Sequence, residues 1–276
     1  MKRRILITGA NGFIGRHLVT RLAEKDLELV LVVRSSDGVP ESALAKGARV
    51  VTTSDLFAED DGWWREVSKG VDTFVHAAWY TKHPDYMSSN QNRNCEAGTI
   101  KIAEALRNSQ VRRFVGLGTC LEYHQTGKLL TTDSALHPES PYAMAKFNTF
   151  LQLSQILGEA KIEFAWCRLF YIHGPGEHES RLVPFLRREL SRGNLVKLRN
   201  PRQVLDFLEV RDVVQKIEQV VLGGSTGALN VCSGVATTVS DLSVAIAKEY
   251  GHPELIDAES SSMGEVGPPI VGQPSL

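Results

Sequence analysis

Cysteine is scarce in this sequence. Four residues, Cys95, Cys120, Cys167 and Cys232, are spread over 276 positions with no CxxC pair and no histidine at zinc-finger spacing, which argues against both a structural zinc site and a disulfide framework. An excess of charge is missing too. Lys plus Arg total 31 against 32 for Asp plus Glu, a net charge of −1, and no basic run offers the counterion-releasing surface that nucleic acid requires. No apolar stretch reaches the roughly 18 to 20 residues of a membrane span. The basic start Lys2-Arg3-Arg4 with Ile5-Leu6-Ile7 behind it imitates a signal peptide only until Gly9, Asn11 and Gly12 interrupt the apolar run. No internal repeat is visible. These absences predict a protein of the reducing cytoplasm that partners neither nucleic acid nor membrane, and they leave motifs to carry the function.

What is present is an alternation. Apolar, β-branched runs at 4–8, 28–33, 48–52, 72–76, 113–117 and 162–169 are separated by longer segments of helical period, the pattern of βαβ units around a parallel sheet buried on both faces. The clearest helices are expected at 13–24, 90–108 and 141–157, the last with Ser140 as cap and Pro141 in the first helical position. The expected fold is therefore α/β, a Rossmann-type doubly wound sheet. Beyond Tyr171 the alternation weakens at His173-Gly174-Pro175-Gly176. Residues 1–172 read as a dinucleotide-binding domain to which 204–234 returns, and 173–203 with 235–276 as a smaller, mixed α/β substrate region. Helices are expected there at 181–192, 211–222 and 239–250, with short apolar runs near 205–210 and 228–232. The Ser-, Gly- and Pro-rich stretch 259–276 reads as loop or tail.

Thr8-Gly9-Ala10-Asn11-Gly12-Phe13-Ile14-Gly15 runs from the first strand into the first helix, the context a dinucleotide-binding turn requires. Gly9 suits a sharp turn, Gly12 a close approach of backbone N–H groups to a pyrophosphate, and Gly15 a tight helix-to-strand contact. Asn11 is expected to tie this wide GxxGxxG loop to neighbouring backbone. At the end of the second strand the chain reads Arg34-Ser35-Ser36, where an acidic residue would hold the ribose hydroxyls of NAD. A guanidinium with two hydroxyls suits a 2′-phosphate, so NADP(H) is favoured over NAD(H). In the same scheme Asp55 and Leu56, after the third strand, meet the adenine, and Arg16 assists from the side of the glycine turn.

Tyr142 and Lys146 are i and i+4 on the helix after the fifth strand and share a face. Chance alone supplies about 0.3 YxxxK pairs in such a chain, so placement gives this one its weight. An ammonium ~5 Å from the phenol at an effective dielectric of ~20 would favour phenolate by about 3 kcal/mol, drawing Tyr142 toward neutral pH. Thr119 follows the fifth strand at the sheet's carboxyl edge, where open α/β sheets bind ligands, and can hold a carbonyl that receives a hydride and takes its proton from Tyr142. Tyr80, beside Trp79 and Thr81, is placed to line a substrate cleft. Trp63 and Trp64 are expected to pack against the sheet. His173 and His178 flank the Gly-Pro-Gly loop without a third ligand and read as loop histidines, so no metal is expected.

TGANGFIG, the Thr119 position and YAMAK resemble the extended short-chain dehydrogenase/reductase family, in the branch of nucleotide-sugar epimerases, dehydratases and reductases. Further segments are similar to that family over most of the chain: His76-Ala77-Ala78, Asn94 to Thr99, Arg168 to Pro175 and Gln203 to Asp212. The resemblance implies Tyr142 as proton donor, Lys146 on the nicotinamide ribose, Thr119 on the carbonyl and Asn94 as a structural helper. It adds Phe13, Ile14, Ala77, Ala78, Leu169 and Ile172 to the cofactor contacts. On the substrate side it implies Tyr80, Thr81, Cys120, Leu121, Tyr171, Arg181 and Gln203. A homodimer through the helices near 90–108 and 141–157 is implied as well.

The departures from that pattern direct the choice of reaction. Cys120-Leu121 stands where the family's 4,6-dehydratases carry an Asp-Glu pair, Leu205 where an arginine meets the nucleotide diphosphate, and Tyr171 where an asparagine is usual; Arg181 or Arg202 is expected to supply the missing charge. An exchangeable NADPH suits net reduction, so the expected activity is reduction of the 4-keto group of a nucleotide-linked 4-keto-6-deoxy sugar. The alternatives are an NAD-retaining nucleotide-sugar 4-epimerase, a reductase of a non-nucleotide ketone, and a non-catalytic NADP(H) sensor.

Overall fold

Residues 2–258 and 266–276 are described by the computed structural model. Six strands, β1 (Arg4–Thr8), β2 (Glu28–Val33), β3 (Arg49–Thr52), β4 (Thr73–His76), β5 (Arg113–Thr119) and β6 (Glu163–Leu169), alternate with α1 (Phe13–Ala23), α2 (Glu41–Ala45), α3 (Asp61–Val67), α4 (Gln91–Leu106) and α5 (Pro141–Glu159). The chain continues through β7 (Tyr171–His173), α6 (Leu182–Leu190), β8 (Val196–Lys197), β9 (Val204–Leu205), β10 (Phe207–Glu209) and α7 (Val210–Leu222). It ends in β11 (Gly227–Val231), β12 (Thr237–Thr238), α8 (Val239–Glu249) and β13 (Ile256–Asp257). Seven strands form one parallel sheet in the order β11-β6-β5-β4-β1-β2-β3. This is the expected Rossmann-type α/β architecture.

Side chains alternate across the strands and divide the core in two. Ile5, Leu31, Val75 and Val115 face α1 and α7, whereas Leu6, Val32, Phe74 and Phe114 face α3, α4 and α5. Both faces are therefore covered, and the strands read as continuous apolar runs for that reason. Trp64 is fully buried against Phe74, with ring centroids 5.7 Å apart. α5 starts as its sequence dictates: the Ser140 hydroxyl accepts from Ala143 N at 3.1 Å, and Pro141 occupies the first turn. Six of the later strands form three short two-stranded pairings outside the main sheet, β7 with β10, β9 with β12 and β8 with β13. α6 and α8 enclose a separate apolar cluster that includes Val183, Leu186 and Ile246.

Two expectations need correction here. His173 ends β7, paired with β10, instead of lying in a loop. From 266 onward the stretch expected as tail is a strap that is exposed at 266–269 and buried at 270–272, while 259–265 lie outside the described residues. Ile270 and Val271 are buried, and the strap bridges Leu130 and Leu205. Asp206, with no exposed surface, accepts from Ser233 N (2.8 Å), Ser233 Oγ (2.7 Å), Gly234 N (2.9 Å) and Gly272 N (3.3 Å). Composition misled because Gly and Pro suit a single extended strand threaded against other backbone as well as they suit loops. Among the described residues no helix is long and apolar enough to cross a membrane.

Candidate active site

The carboxyl edge of the sheet opens into a cleft of about 790 Å³, within the range of small-molecule sites. The glycine turn forms one wall. Gly9 has φ +68°, and a Cβ there would come within 2.8 Å of Ala78 N, so β1 can turn only because the position lacks a side chain. Gly12 caps α1 without a side-chain hydrogen bond, which leaves the first N–H groups of that helix to a ligand. Asn11 ties the loop as expected, its amide donating to the carbonyls of Ser35 and Asp37, both at 3.1 Å. These features form a cradle that a dinucleotide pyrophosphate fits.

The anticipated cofactor-side residues Asn11, Phe13, Ile14, Arg34, Asp55, Leu56, Ala77, Ala78, Asn94, Leu169 and Ile172 line the cleft. Ser35 does not. Its hydroxyl donates to the Asp37 carboxylate at 2.8 Å, so a local turn consumes the donor that the phosphate reading assigned to it. Asp37 itself was missed. Beneath the cofactor wall, buried His76 lies between Thr8 Oγ1 (2.9 Å) and Thr99 Oγ1 (3.0 Å), and burial with Lys146 nearby pulls its pKa down to about 3. The neutral ring thus joins β1, β4 and α4. Asn94 is exposed and bonded to Gln91; the buried asparagine of α4 is Asn92, which accepts from Trp79 Nε1 and donates to Tyr86 and Ser89 carbonyls.

Thr119 and Tyr142 meet on the substrate side, where both line the cleft and the Thr119 hydroxyl is close enough to favour ionisation of the phenol. Lys146 is almost fully buried rather than facing the cleft. Its ammonium donates to Leu117 O at 2.6 Å and lies 3.7 Å from the centroid of the Trp79 ring, and burial lowers its pKa to about 7. The expected phenolate is not supported. Burial first, then Tyr86, Glu122 and Cys120, pushes the Tyr142 phenol above its ordinary range, with only the Thr119 hydroxyl acting the other way. Desolvation disfavours both charged forms, so the surroundings hold Tyr142 as a neutral proton donor.

Tyr80, Thr81, Cys120, Leu121, Tyr171 and Arg181 line the same cleft. Arg181 donates to Glu177 Oε1 at 3.2 Å and lies beside Tyr86, whose ring stands edge-on to Tyr142 at 5.1 Å. No motif announced Tyr86. Gln203, by contrast, lies outside the lining, because its amide donates to Pro268 O at 3.1 Å and secures the strap. Exposed Arg202 is outside it too, and Leu205 is buried beneath the strap. Of the charges expected to replace an arginine at 205, Arg181 is the one in the cleft. His178 lines the entrance, its ring bonded to Ser180, which also bonds His83. Among the described residues no group of three His, Cys, Asp or Glu could hold a metal ion.

The chain is 24% identical over 254 residues to dTDP-6-deoxy-L-talose 4-dehydrogenase (NAD(+)) of Aggregatibacter actinomycetemcomitans, covering 83% of this chain and 84% of that protein. It is 24% identical over 288 residues to dTDP-4-dehydro-6-deoxy-D-allose reductase of Streptomyces sp, covering 94% and 85%. Its fold is similar to that of UDP-N-acetylglucosamine 4-epimerase from Methanobrevibacter ruminantium M1, with a TM-score of 0.86, 20% identity and coverage of 100% and 91%. The family description "NAD dependent epimerase/dehydratase" matches residues 5–232, a span from the first strand to the end of the sheet, and the chain belongs to the NAD dependent epimerase/dehydratase family.

Proposed function

We propose that the protein reduces the 4-keto group of a nucleotide-linked 4-keto-6-deoxy sugar with NADPH. The observation that carries this reading is that Thr119 and Tyr142, a hydroxyl and a neutral phenol, line one cleft whose other wall is a dinucleotide cradle. A nicotinamide dinucleotide supplies the hydride when bound. Gly9, Gly12 and Gly15 receive its pyrophosphate at the N-terminus of α1, and Arg34 receives the 2′-phosphate. Thr119 holds the substrate carbonyl. Tyr142 gives its proton to the carbonyl oxygen as the carbon gains the hydride, so the ketone leaves as an alcohol. Lys146, buried behind Trp79, fixes the floor of the site. Arg181 meets the substrate phosphates. Support for the substrate class comes from the two curated relatives, whose names concern a 4-dehydrogenase and a 4-dehydro-sugar reductase of dTDP-linked 6-deoxy sugars. Cys120-Leu121 gives no carboxylates after Thr119 for elimination of water. A homodimer belongs to the same reading, with Met144 and Leu151 exposed on α5.

A second reading, a 4-epimerase that keeps NAD, is favoured by Asp37, an acidic side chain hydrogen-bonded to Ser35 in the turn after Arg34, and one relative is named for NAD(+). Calorimetric titration separates the two. NADPH is expected to bind at least tenfold more tightly than NADH, and Arg34→Ala to abolish that preference while leaving NADH affinity within about twofold. Equal affinities in the unaltered protein, or a preference that survives Arg34→Ala, would reject NADP(H). NAD retained through purification would favour the epimerase. Turnover of NADPH against a panel of nucleotide-linked 4-keto-6-deoxy sugars then tests the substrate class, and activity on free ketones alone would overturn it.

A further inference from the structure

Glu122 has no exposed surface and does not line the cleft, yet it stands directly behind the reacting groups. Its Oε1 accepts from the backbone N–H of Thr119 at 2.8 Å and from Trp166 Nε1 at 3.0 Å, and its Oε2 accepts from Arg168 Nε at 2.8 Å. Arg168, equally buried, continues to the Tyr123 hydroxyl at 3.0 Å, which donates to Asn230 Oδ1 at 2.7 Å. The backbone is shaped to admit this group. A Cβ on Gly118 would come within 2.5 Å of Glu122 Oε1, and one on Gly116 within 2.5 Å of the Trp166 ring, so two glycines in a buried strand open the slot that the carboxylate and indole fill. Burying an ion pair carries a large desolvation cost, and apolar residues of similar volume commonly serve stability as well or better. A purely structural need does not account for placing a charge here.

We propose that Glu122, held by Arg168 and Trp166, is a positioning residue that fixes Thr119 through its backbone N–H and keeps a buried negative charge behind Tyr142 and Lys146. This rests on the reductase reading in so far as Thr119 and Tyr142 are the reacting groups. The groups around Lys146 are His76 from β4, Cys95 from α4, the Leu117 carbonyl of β5, Glu122 from the turn after β5, and the Trp79 and Trp166 rings. Cys95 and Glu122 favour the ammonium against a dominant cost of burial. Glu122 also opposes ionisation of Tyr142. The carboxylate therefore acts on both groups in one direction, keeping the proton on each.

The test reads Lys146 directly and needs no substrate. In protein whose lysines carry ¹³C at Cε, one resonance, identified by its loss in Lys146→Met, is expected to titrate near pH 7, well below the ~10.4 of ordinary lysines. In Glu122→Gln its midpoint is expected to fall by about one unit, the size and sign set by losing a nearby negative charge. Glu122→Asp keeps the charge but withdraws it from Thr119 N, so the midpoint stays within about 0.3 units while kcat falls about tenfold at unchanged KM. Where Glu122→Gln does not fold because Arg168 is left unpaired, the Glu122→Gln, Arg168→Gln double variant replaces it, with a downward shift smaller than one unit expected because the more distant positive charge of Arg168 is lost as well. A midpoint that stays put or rises in the folded Gln variant overturns the proposal. A shift seen in a protein that turns over no nucleotide sugar upholds the positioning role and sinks the reductase reading instead.

Discussion

Tyr142→Phe is expected to lower kcat on a 4-keto sugar by about a thousandfold, within the usual worth of a positioned general acid, while leaving NADPH affinity and KM within about threefold. The substitution removes one oxygen. It keeps the aromatic ring edge-on to Tyr86, so packing in the cleft survives and the loss reports proton transfer alone. The direction follows from the state of the phenol. Burial and the neighbouring Tyr86, Glu122 and Cys120 hold it neutral, and a neutral phenol is the form that can give a proton to a carbonyl oxygen as hydride arrives. Thr119 keeps its contact with Leu121 N at 3.3 Å in the variant. A variant retaining more than about a tenth of the activity would show that the proton comes from elsewhere, and Tyr86, beside Arg181, would be the next group to replace. Steady-state kinetics with equilibrium cofactor binding on the same preparation distinguishes these outcomes.

Gly15→Ala should weaken dinucleotide binding by about a hundredfold, through geometry instead of chemistry. A Cβ at Gly15 would lie 2.9 Å from the Gly9 carbonyl carbon, closer still to its oxygen, and 3.1 Å from the carbonyl carbon of Ala10. All of these are backbone atoms, so nothing flexible can yield and the turn itself must shift. Overpacking of this kind costs about 1 to 3 kcal/mol where the structure can relax, and a displaced turn no longer aims its N–H groups at the pyrophosphate. Gly158, near the end of α5, is the internal control, because a Cβ there meets nothing within 4 Å. Gly158→Ala is expected to leave binding unchanged and to raise the melting temperature slightly, in line with the helix preference of alanine over glycine. Comparable loss of NADPH affinity in both variants, or in neither, would contradict this account of the turn.

The sequence made the sheet legible because both of its faces are covered, so each strand is a run of apolar residues that needs no partner information to recognise. The glycine turn was equally plain, since its three glycines answer to backbone requirements that hold within a few residues. The site was harder wherever a side chain's role depends on distant contacts. Helical spacing put Lys146 and Tyr142 on one face, but it could not reveal that Trp79 would cover the amine or that burial would reverse the expected shift of the phenol. Ser35 looked free because Asp37, two residues on, carries no motif. Gln203 matched a family segment and was read as a substrate contact, whereas the strap at Pro268 claims it. One signal was available and unused. Gly116 and Gly118 alternate on a strand otherwise rich in apolar residues, and glycines so placed mark a close approach by something large, here Trp166 with Glu122 beside it.

Trp79 gives the cleft an optical property of its own. Of the four tryptophans, Trp63 and Trp64 pack edge to face on α3, the first half-buried against the core and the second within it, and Trp166 is sealed against Glu122, which leaves Trp79 as the indole in the cleft wall. Its emission is therefore tied to what occupies the cleft. Reduced nicotinamide absorbs where indole emits, so light taken up by this ring can pass to a ligand bound against it, and the colour of the protein under ultraviolet excitation becomes a direct count of filled sites.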